Sequence, residues 1–499
     1  MSLLRIFTAA VALFAAATAK ADTPNVIIVL ADDLGIGDLS ATNPDAKIST
    51  PHLSELASQG MTFLDAHTSS SVCTPTRYGL LTGRYNWRSR LAKGVLFGYD
   101  RHLIPAERPT IAHLLRDAGY HTAMIGKWHL GWDWHRNNES TPQDIDFAEP
   151  VVNGPDINGF DQYYAHCGSL DMPPYVWVDS GRCTAIPTRS EGVSRQESAY
   201  GWYREGPIAP DFVIDDVLPH LFDQSIQYVR ERSTAEKREQ PFFLYLPLPA
   251  PHTPIVPIAP FKDASGINPY ADFVMQVDHH MGQLLATLDE VKQADNTLVL
   301  FTSDNGCSPQ ANFDVLASHG HDPSAIYRGH KADIYEAGHR VPLIVRWPKR
   351  VAPSTTSKAT VCLTDVYATL REILGEPLDN GGEDSFSMMP ALAGADSTSR
   401  RTLISHSVEG RFAIRVGKWK LCLCRGSGGW SEPKEKKAER QNLPEKQLYD
   451  LISDPGETTN LIAKYPDVAR ELESTLTTKI RRGRSTPGAN RSNDREVTF

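Results

Sequence analysis

Short, continuous apolar runs alternate with stretches of helical spacing along most of this chain. Asn25–Leu30, Thr122–Ile125, Phe242–Leu246, Thr297–Phe301 and Leu343–Trp347 are too short for buried helices, and the first is rich in β-branched residues. Runs of this kind suit strands covered on both faces, as in a parallel sheet. Between them, Thr50-Pro51 opens a helix that stops near Gly60, and Thr110 to Ala118 stops at Gly119. Val274, Val277, Met281, Leu284, Leu285, Leu288 and Val291 fall on one face of a helix from Tyr270 to Val291. Asp365–Leu374 predicts a further helix. Strand–helix alternation of this kind predicts an α/β fold. The pattern then changes. Arg411–Arg415 and Trp419–Leu423 read as a hairpin, Gln447–Gly456 as a short strand and turn, and Val468, Leu472, Leu476 and Ile480 as a final amphipathic helix. Residues 132–240 are less regular and read mainly as loops. A Gly/Asp/Ser-rich stretch from Gly375 to Ser399 sets a boundary near 385–395, between a domain of residues 22–390 and a smaller one of 391–499. The polar, basic tail from Arg481 is expected to be poorly ordered.

Charge and leader narrow the setting. The net charge of −9 over 499 residues argues against a nucleic-acid binder, and requires an anionic ligand to be captured by a local basic site. Residues 1–21 read as a secretory signal: Arg5 precedes an apolar run from Ile6 to Ala17, with cleavage near Ala19 or Ala21. A periplasmic or secreted protein with no membrane span is expected. In an exported chain the cysteines other than Cys73 can pair, and Cys167 with Cys183 is the one pairing named. Cys422 and Cys424 share a strand face and are not expected to bridge, and their C-x-C spacing does not suit zinc.

The chemistry gathers at strand ends. Asp32 and Asp33 follow the first strand, and Asp304 and Asn305 follow the fourth. Open α/β sheets place their sites at such carboxyl ends. The four residues make an all-oxygen set suited to a hard cation, Ca²⁺ most naturally and Mg²⁺ next. Cys73-Thr-Pro-Thr-Arg77, running on to Leu81-Thr-Gly-Arg84, puts a thiol at a helix N-terminus with Arg77 one turn later. Gly126-Lys127-Trp128-His129-Leu130-Gly131 follows the second strand and Pro251-His252-Thr253-Pro254 the third. Arg328-Gly-His-Lys331 precedes Glu336-Ala-Gly-His-Arg340-Val-Pro342. These blocks, in this order, resemble the formylglycine-dependent sulfatases.

The resemblance implies an alkaline-phosphatase-like α/β fold: a large mixed sheet flanked by helices, then a smaller C-terminal antiparallel sheet with a helix. It implies that a separate maturation enzyme oxidises Cys73 to Cα-formylglycine, and that Cys73 joins Asp32, Asp33, Asp304 and Asn305 around the metal. The activity implied is sulfate-ester hydrolysis. Arg77 and the metal would polarise the aldehyde hydrate, while Lys127, His129, His252 and Lys331 would stabilise the sulfuryl oxygens. His252 or Lys331 would protonate the leaving oxygen, and His129 would take the proton that ejects sulfate. A sulfated carbohydrate is the expected substrate, with galactose- or N-acetylgalactosamine-type units favoured. Asp171, Tyr175, Trp177 and Arg182 are candidates for gripping the sugar, and His319, His321 and Arg328 for further contacts. A generic arylsulfatase, a phosphoryl-transfer hydrolase of the same fold and an inactive glycan-binding homologue are the alternatives.

Overall fold

The computed structural model describes residues 23–376 and 381–498. The expected leader, residues 1–21, and part of the Gly/Asp-rich stretch lie outside the described residues. A ten-stranded mixed sheet forms the frame. Its order is Thr355–Ser357, Met61–Phe63, Leu343–Arg346, Thr297–Ser303, Asn25–Ala31, Phe242–Pro247, His121–Lys127, Gln162–His166, Val178–Asp179 and Arg182–Cys183. The five strands from Thr297–Ser303 to Gln162–His166 run parallel, so their carboxyl ends open on one edge. Asn25–Ala31 lies in the middle of the sheet and is buried at every position, as its unbroken apolar run requires.

Helices flank the sheet in two groups. Pro51–Ser58, Val217–Arg232 and Pro269–Glu290 pack together, as do Cys73–Thr82, Ile111–Asp117 and Asp365–Leu374. All ten residues of Cys73–Thr82 are buried. The second sheet is antiparallel, in the order Leu403–His406, Phe412–Val416, Trp419–Cys422 and Gln447–Asp450. The Pro466–Arg481 helix lays Leu472, Leu476 and Ile480 against it, in a core that includes Tyr85 and Trp87 from the N-terminal part of the chain. The large mixed sheet and the small antiparallel sheet with its helix are therefore both present.

Three expectations are corrected. Residues 132–240 hold more regular structure than loops: the Gln162–His166 strand, the Val217–Arg232 helix and a hairpin of Arg189–Val193 with Tyr203–Ile208. Cys167 and Cys183 are both free thiols. Cys183 pairs with Val178, and Val178 with Ala165, so a whole strand separates the two cysteines. Two strand spacings are about 9.5 Å, beyond the roughly 7 Å that a bridge spans.

The third correction is the tail, which is held in place. Arg84 of the Leu-Thr-Gly-Arg block is fully buried, and its guanidinium donates to Asp494 (2.9 and 3.0 Å), to the Ser492 carbonyl and to the Tyr78 hydroxyl. Arg88 donates to both carboxylate oxygens of Asp384 and to Asn493. The tail thus supplies acceptors for two buried cations next to the Cys73–Thr82 helix. Truncation after Thr486 is expected to destabilise the protein by about 2 kcal/mol, because those donors lose their partners. Differential scanning fluorimetry reads this as a lower unfolding midpoint. An unchanged midpoint would show that the tail carries no such load.

Candidate active site at the strand ends

Most of the central side chains leave the carboxyl end of a parallel strand or the start of a buried helix, and Lys331 comes from the loop between the Phe313–Ser318 and Glu336–His339 helices. Asn25–Ala31 delivers Asp32 and Asp33, Thr297–Ser303 delivers Asp304 and Asn305, His121–Lys127 delivers Lys127 and then His129, and Phe242–Pro247 leads to His252. The loops interlock through backbone bonds: Asp32 N–H donates to the Ala250 carbonyl and Asp304 N–H to the Ala31 carbonyl. Gly126 lets the Lys127 strand close up, since a Cβ there would sit 2.1 Å from the Pro247 carbonyl oxygen, and its φ is +136°. Asp33 and His129 hold left-handed φ values of +67° and +54°, an uncommon conformation that costs energy and turns both side chains off the strand direction.

The centre is a buried exchange of charge. Arg77 donates through Nε and Nη2 to Asp304 Oδ2 at 3.1 and 2.8 Å, and through Nη1 to the Lys127 carbonyl at 2.8 Å. Lys127 Nζ donates to Asp32 Oδ2 and to Ser169 Oγ. Lys331 Nζ lies 2.6 Å from Asp33 Oδ1, which also accepts from Asn305 Nδ2 at 2.7 Å. Cys73 Sγ and one carboxylate oxygen each of Asp32 and Asp304 all lie within 4.8 Å of one another. Asp32, Cys73, Arg77, Lys127, His129, Asp304 and Asn305 are almost wholly buried, while His252 keeps 11% of its side chain exposed.

Protonation follows from these neighbours. Burial alone would raise Asp32, but Lys127, His252 and Arg77 outweigh it and hold that carboxyl well below its usual range. Burial and the adjacent Asp32 charge push Asp304 up to about 7. Burial also pushes the Cys73 thiol up to about 11, so the unmodified residue is a protonated thiol at neutral pH. His129 is held neutral by burial and by the nearby Lys127 and Arg77. Its Nε2 is 2.7 Å from the Leu96 carbonyl, which can only accept, so Nε2 carries the proton. Nδ1 is left with a bare lone pair and no partner among the described residues. By the same reasoning His252 Nδ1 donates to the Thr253 carbonyl at 2.6 Å, and its Nε2 faces Asp33 Oδ2 at 3.7 Å.

The donor set fits a hard cation. Asp32 Oδ1 and Asn305 Oδ1 are buried without a hydrogen-bond partner, which is costly unless something binds them. Asp32 Oδ2, Asp33 Oδ1 and Asp304 Oδ2 each take a protein cation, Asp304 Oδ1 accepts from the Asp33 amide, and Asp33 Oδ2 faces His252. Three carboxylates and three cations (Asp32, Asp33 and Asp304 against Arg77, Lys127 and Lys331) balance as they stand. A divalent cation would leave a positive excess suited to an anionic ligand.

The outlying candidates do not join this cluster. Tyr175 is buried and its hydroxyl donates to the Arg204 carbonyl, while Trp177 packs on Phe212 and Tyr164 in the core. Neither can stack on a sugar. Arg182 lies on the far edge strand, paired with Asp179. His319 is exposed and bonds within its own helix turn. His321 is buried, accepting from the Lys47 amide and donating to Asp38. Arg328 is spent on the Glu457 carbonyl and the Tyr335 ring. Asp171 is salt-bridged to Arg204, although its Oδ1 is buried and unpartnered. Two residues near the centre had no visible signal in the sequence. Ser169 receives Lys127, and Trp430, 45% exposed, puts its ring 6.0 Å from Lys331 Nζ.

A protein-family model described as Sulfatase matches residues 24–376. An N-acetylgalactosamine-6-O-sulfatase of Bacteroides thetaiotaomicron is 33% identical over 486 residues, covering 91% of this chain and 92% of the relative. Human arylsulfatase A is 31% identical over 483 residues, covering 93% of this chain and 88% of its own length. A solved Bacteroides thetaiotaomicron structure, described in connection with the metabolism of multiple glycosaminoglycans, superposes with a TM-score of 0.79 at 31% identity, covering 92% of this chain and 99% of its own.

Adding Ca²⁺ or Mg²⁺ to chelator-treated protein is expected to raise the unfolding midpoint, by the equivalent of about 2.7 kcal/mol at a hundredfold excess over Kd. Asp33→Asn should remove most of that rise. An equal rise in wild type and variant would place the cation elsewhere.

Proposed function

The chain belongs to the sulfatase family and is a sulfuric ester hydrolase, and on that premise we propose that it removes sulfate from a sulfated carbohydrate containing galactose- or N-acetylgalactosamine-type units. The observation that carries the site assignment is the sealed cluster at the strand ends: a helix-start cysteine, three carboxylates and three cations, with His129 and His252 beside them. The substrate class draws on the N-acetylgalactosamine-6-O-sulfatase relative.

In this reading Cys73 is converted by a maturation enzyme to Cα-formylglycine, whose hydrate would supply the attacking hydroxyl, and a cation held by Asp32, Asp33, Asp304 and Asn305, Ca²⁺ before Mg²⁺, would supply Lewis-acid polarisation. The chain's own residues do the rest. Arg77 fixes Asp304 and the Lys127 carbonyl at once, and so ties the helix start to two strand ends. Lys127 and Lys331, which pair with Asp32 and Asp33, would hold the oxygens of a sulfate ester where a cation took over those carboxylates. In a dry site such fixed charges are worth far more than in water. His129, with its proton locked on Nε2, offers Nδ1 as a base. His252 is more exposed than Lys331 (11% against 5% of the side chain), which favours it as the acid, with a second proton carried on the Nε2 that faces Asp33 and passed to the leaving alcohol oxygen. The Arg5 and Ile6–Ala17 pattern supports export to the periplasm or beyond.

The human arylsulfatase A relative favours a second reading, a generic arylsulfatase. Matured enzyme should release sulfate from one linkage in a panel of defined sulfated sugars, with galactose- and N-acetylgalactosamine 6-sulfates tested first. An aryl sulfate should turn over poorly, and Cys73→Ala should abolish all release. Turnover of the aryl ester alone would replace the carbohydrate reading with the arylsulfatase one.

A further inference from the structure

The hairpin of Arg189–Val193 and Tyr203–Ile208 is tied to three loops that carry site residues. Trp202 Nε1 donates to Gln310, five residues beyond Asn305, at 3.1 Å. The Tyr200 carbonyl accepts from the Ile255 amide, three residues beyond His252. Arg204 pairs with Asp171, two residues beyond the Ser169 that receives Lys127, and also donates to the Asp171 carbonyl at 2.9 Å. The Tyr175 hydroxyl fastens the same strand through the Arg204 carbonyl. Arg204 also lies over Phe97, a half-exposed ring next to Leu96, whose carbonyl holds His129. Tethered on these sides, the hairpin stands as a wall beside the loops that carry the site residues.

That wall holds an open cleft of about 590 Å³, lined by Glu191, Arg195, Glu197, Trp202, Arg204 and Glu205. The Arg195 guanidinium carbon lies over the Trp202 indole, 4.1 Å from the ring centroid. It has no hydrogen bond or ion pair among the described residues, although three glutamates line the same cleft. Arg204, on the same indole, is already spent on Asp171. A guanidinium oriented by stacking keeps its N–H edge for a planar or tetrahedral oxyanion.

We propose that this cleft is a second glycan subsite, in which Arg195 binds an anionic substituent, a carboxylate or a second sulfate ester, on the sugar next to the one being desulfated. The inference rests on the carbohydrate reading above and gives the substrate a class: an oligosaccharide with charge on neighbouring units. Arg195 is then a specificity-determining residue that takes no part in bond cleavage.

The test compares matured wild type and Arg195→Ala on a sulfated monosaccharide and on three oligosaccharides, whose neighbouring unit is neutral, a uronate or sulfated. With an anionic neighbour, kcat/KM is expected to fall about tenfold, mainly through KM. The monosaccharide and the neutral oligosaccharide should be unaffected, and Arg195→Lys should recover part of the loss. The affected arm identifies carboxylate or sulfate. Unchanged rates on every oligosaccharide, or an equal loss on the monosaccharide, would overturn the subsite while leaving the sulfatase reading intact. Binding of the same oligosaccharides to Cys73→Ala protein, with and without Arg195→Ala, separates the two readings if wild type releases no sulfate from any sugar. A binding loss confined to the anionic arms would still support the subsite, and no difference would overturn it.

Discussion

The structure depends on a buried balance of charge at the carboxyl ends of its parallel strands. Asp32, Asp33 and Asp304 sit out of water, where an unpaired carboxylate would cost several kcal/mol. Arg77, Lys127 and Lys331 offset them, and each cation comes from a different part of the chain. That balance dictates much of the surrounding fold. The Cys73–Thr82 helix must be fully buried to present Arg77, and Gly126 must lack a side chain so that Lys127 can reach Asp32. The demand spreads outward. Arg84 and Arg88, just beyond the helix, are themselves buried and draw acceptors from Asp384 and from the end of the chain.

The same balance explains the chemistry. A cluster that is neutral on its own becomes receptive to an anion when a divalent cation takes the carboxylates. In the reading proposed above, the lysines that pair with these carboxylates are also the groups that would meet the sulfate oxygens. His129 and His252 differ in burial, in neighbouring charge and in the ring nitrogen that each gives to a carbonyl. One keeps its proton on Nε2 and bares Nδ1 inside the site, and the other keeps its proton on Nδ1 and turns Nε2 towards Asp33. If the proposed subsite holds, the group that selects the substrate stands on the Arg189–Val193 and Tyr203–Ile208 hairpin, a different element from those that carry the buried cluster.

The strand ends were legible because a continuous apolar run followed by Asp-Asp or Asp-Asn is both a local and a chemical signal. The Asn25, Phe242 and Thr297 strands start where the pattern puts them and extend by one or two residues into the site. The Val217–Arg232 helix also carried a signal, with Leu218, Leu221, Phe222, Ser225, Tyr228 and Val229 at helical spacing. Pro219 and the polar flanks obscured it. Tyr175 and Trp177 look the same in a sequence whether they stack on a sugar or fill a core, and only the packing of Phe212 and Arg204 decides. Arg195 is one of many surface arginines until its stacking on Trp202, with no hydrogen bond or ion pair among the described residues, is seen. The tail read as disordered because its polar residues carry no apolar periodicity; the buried arginines that anchor it, Arg84 and Arg88, lie some four hundred residues earlier.

The central claim is that Cys73 works as an aldehyde and not as a thiol. It is tested most directly by quantifying, by mass spectrometry, the converted fraction of the peptide ending at Arg77 in preparations matured to different extents, and measuring sulfate release from each. The account predicts a rate proportional to the aldehyde fraction and near zero for protein with an intact thiol. Full activity with unmodified Cys73 would contradict it.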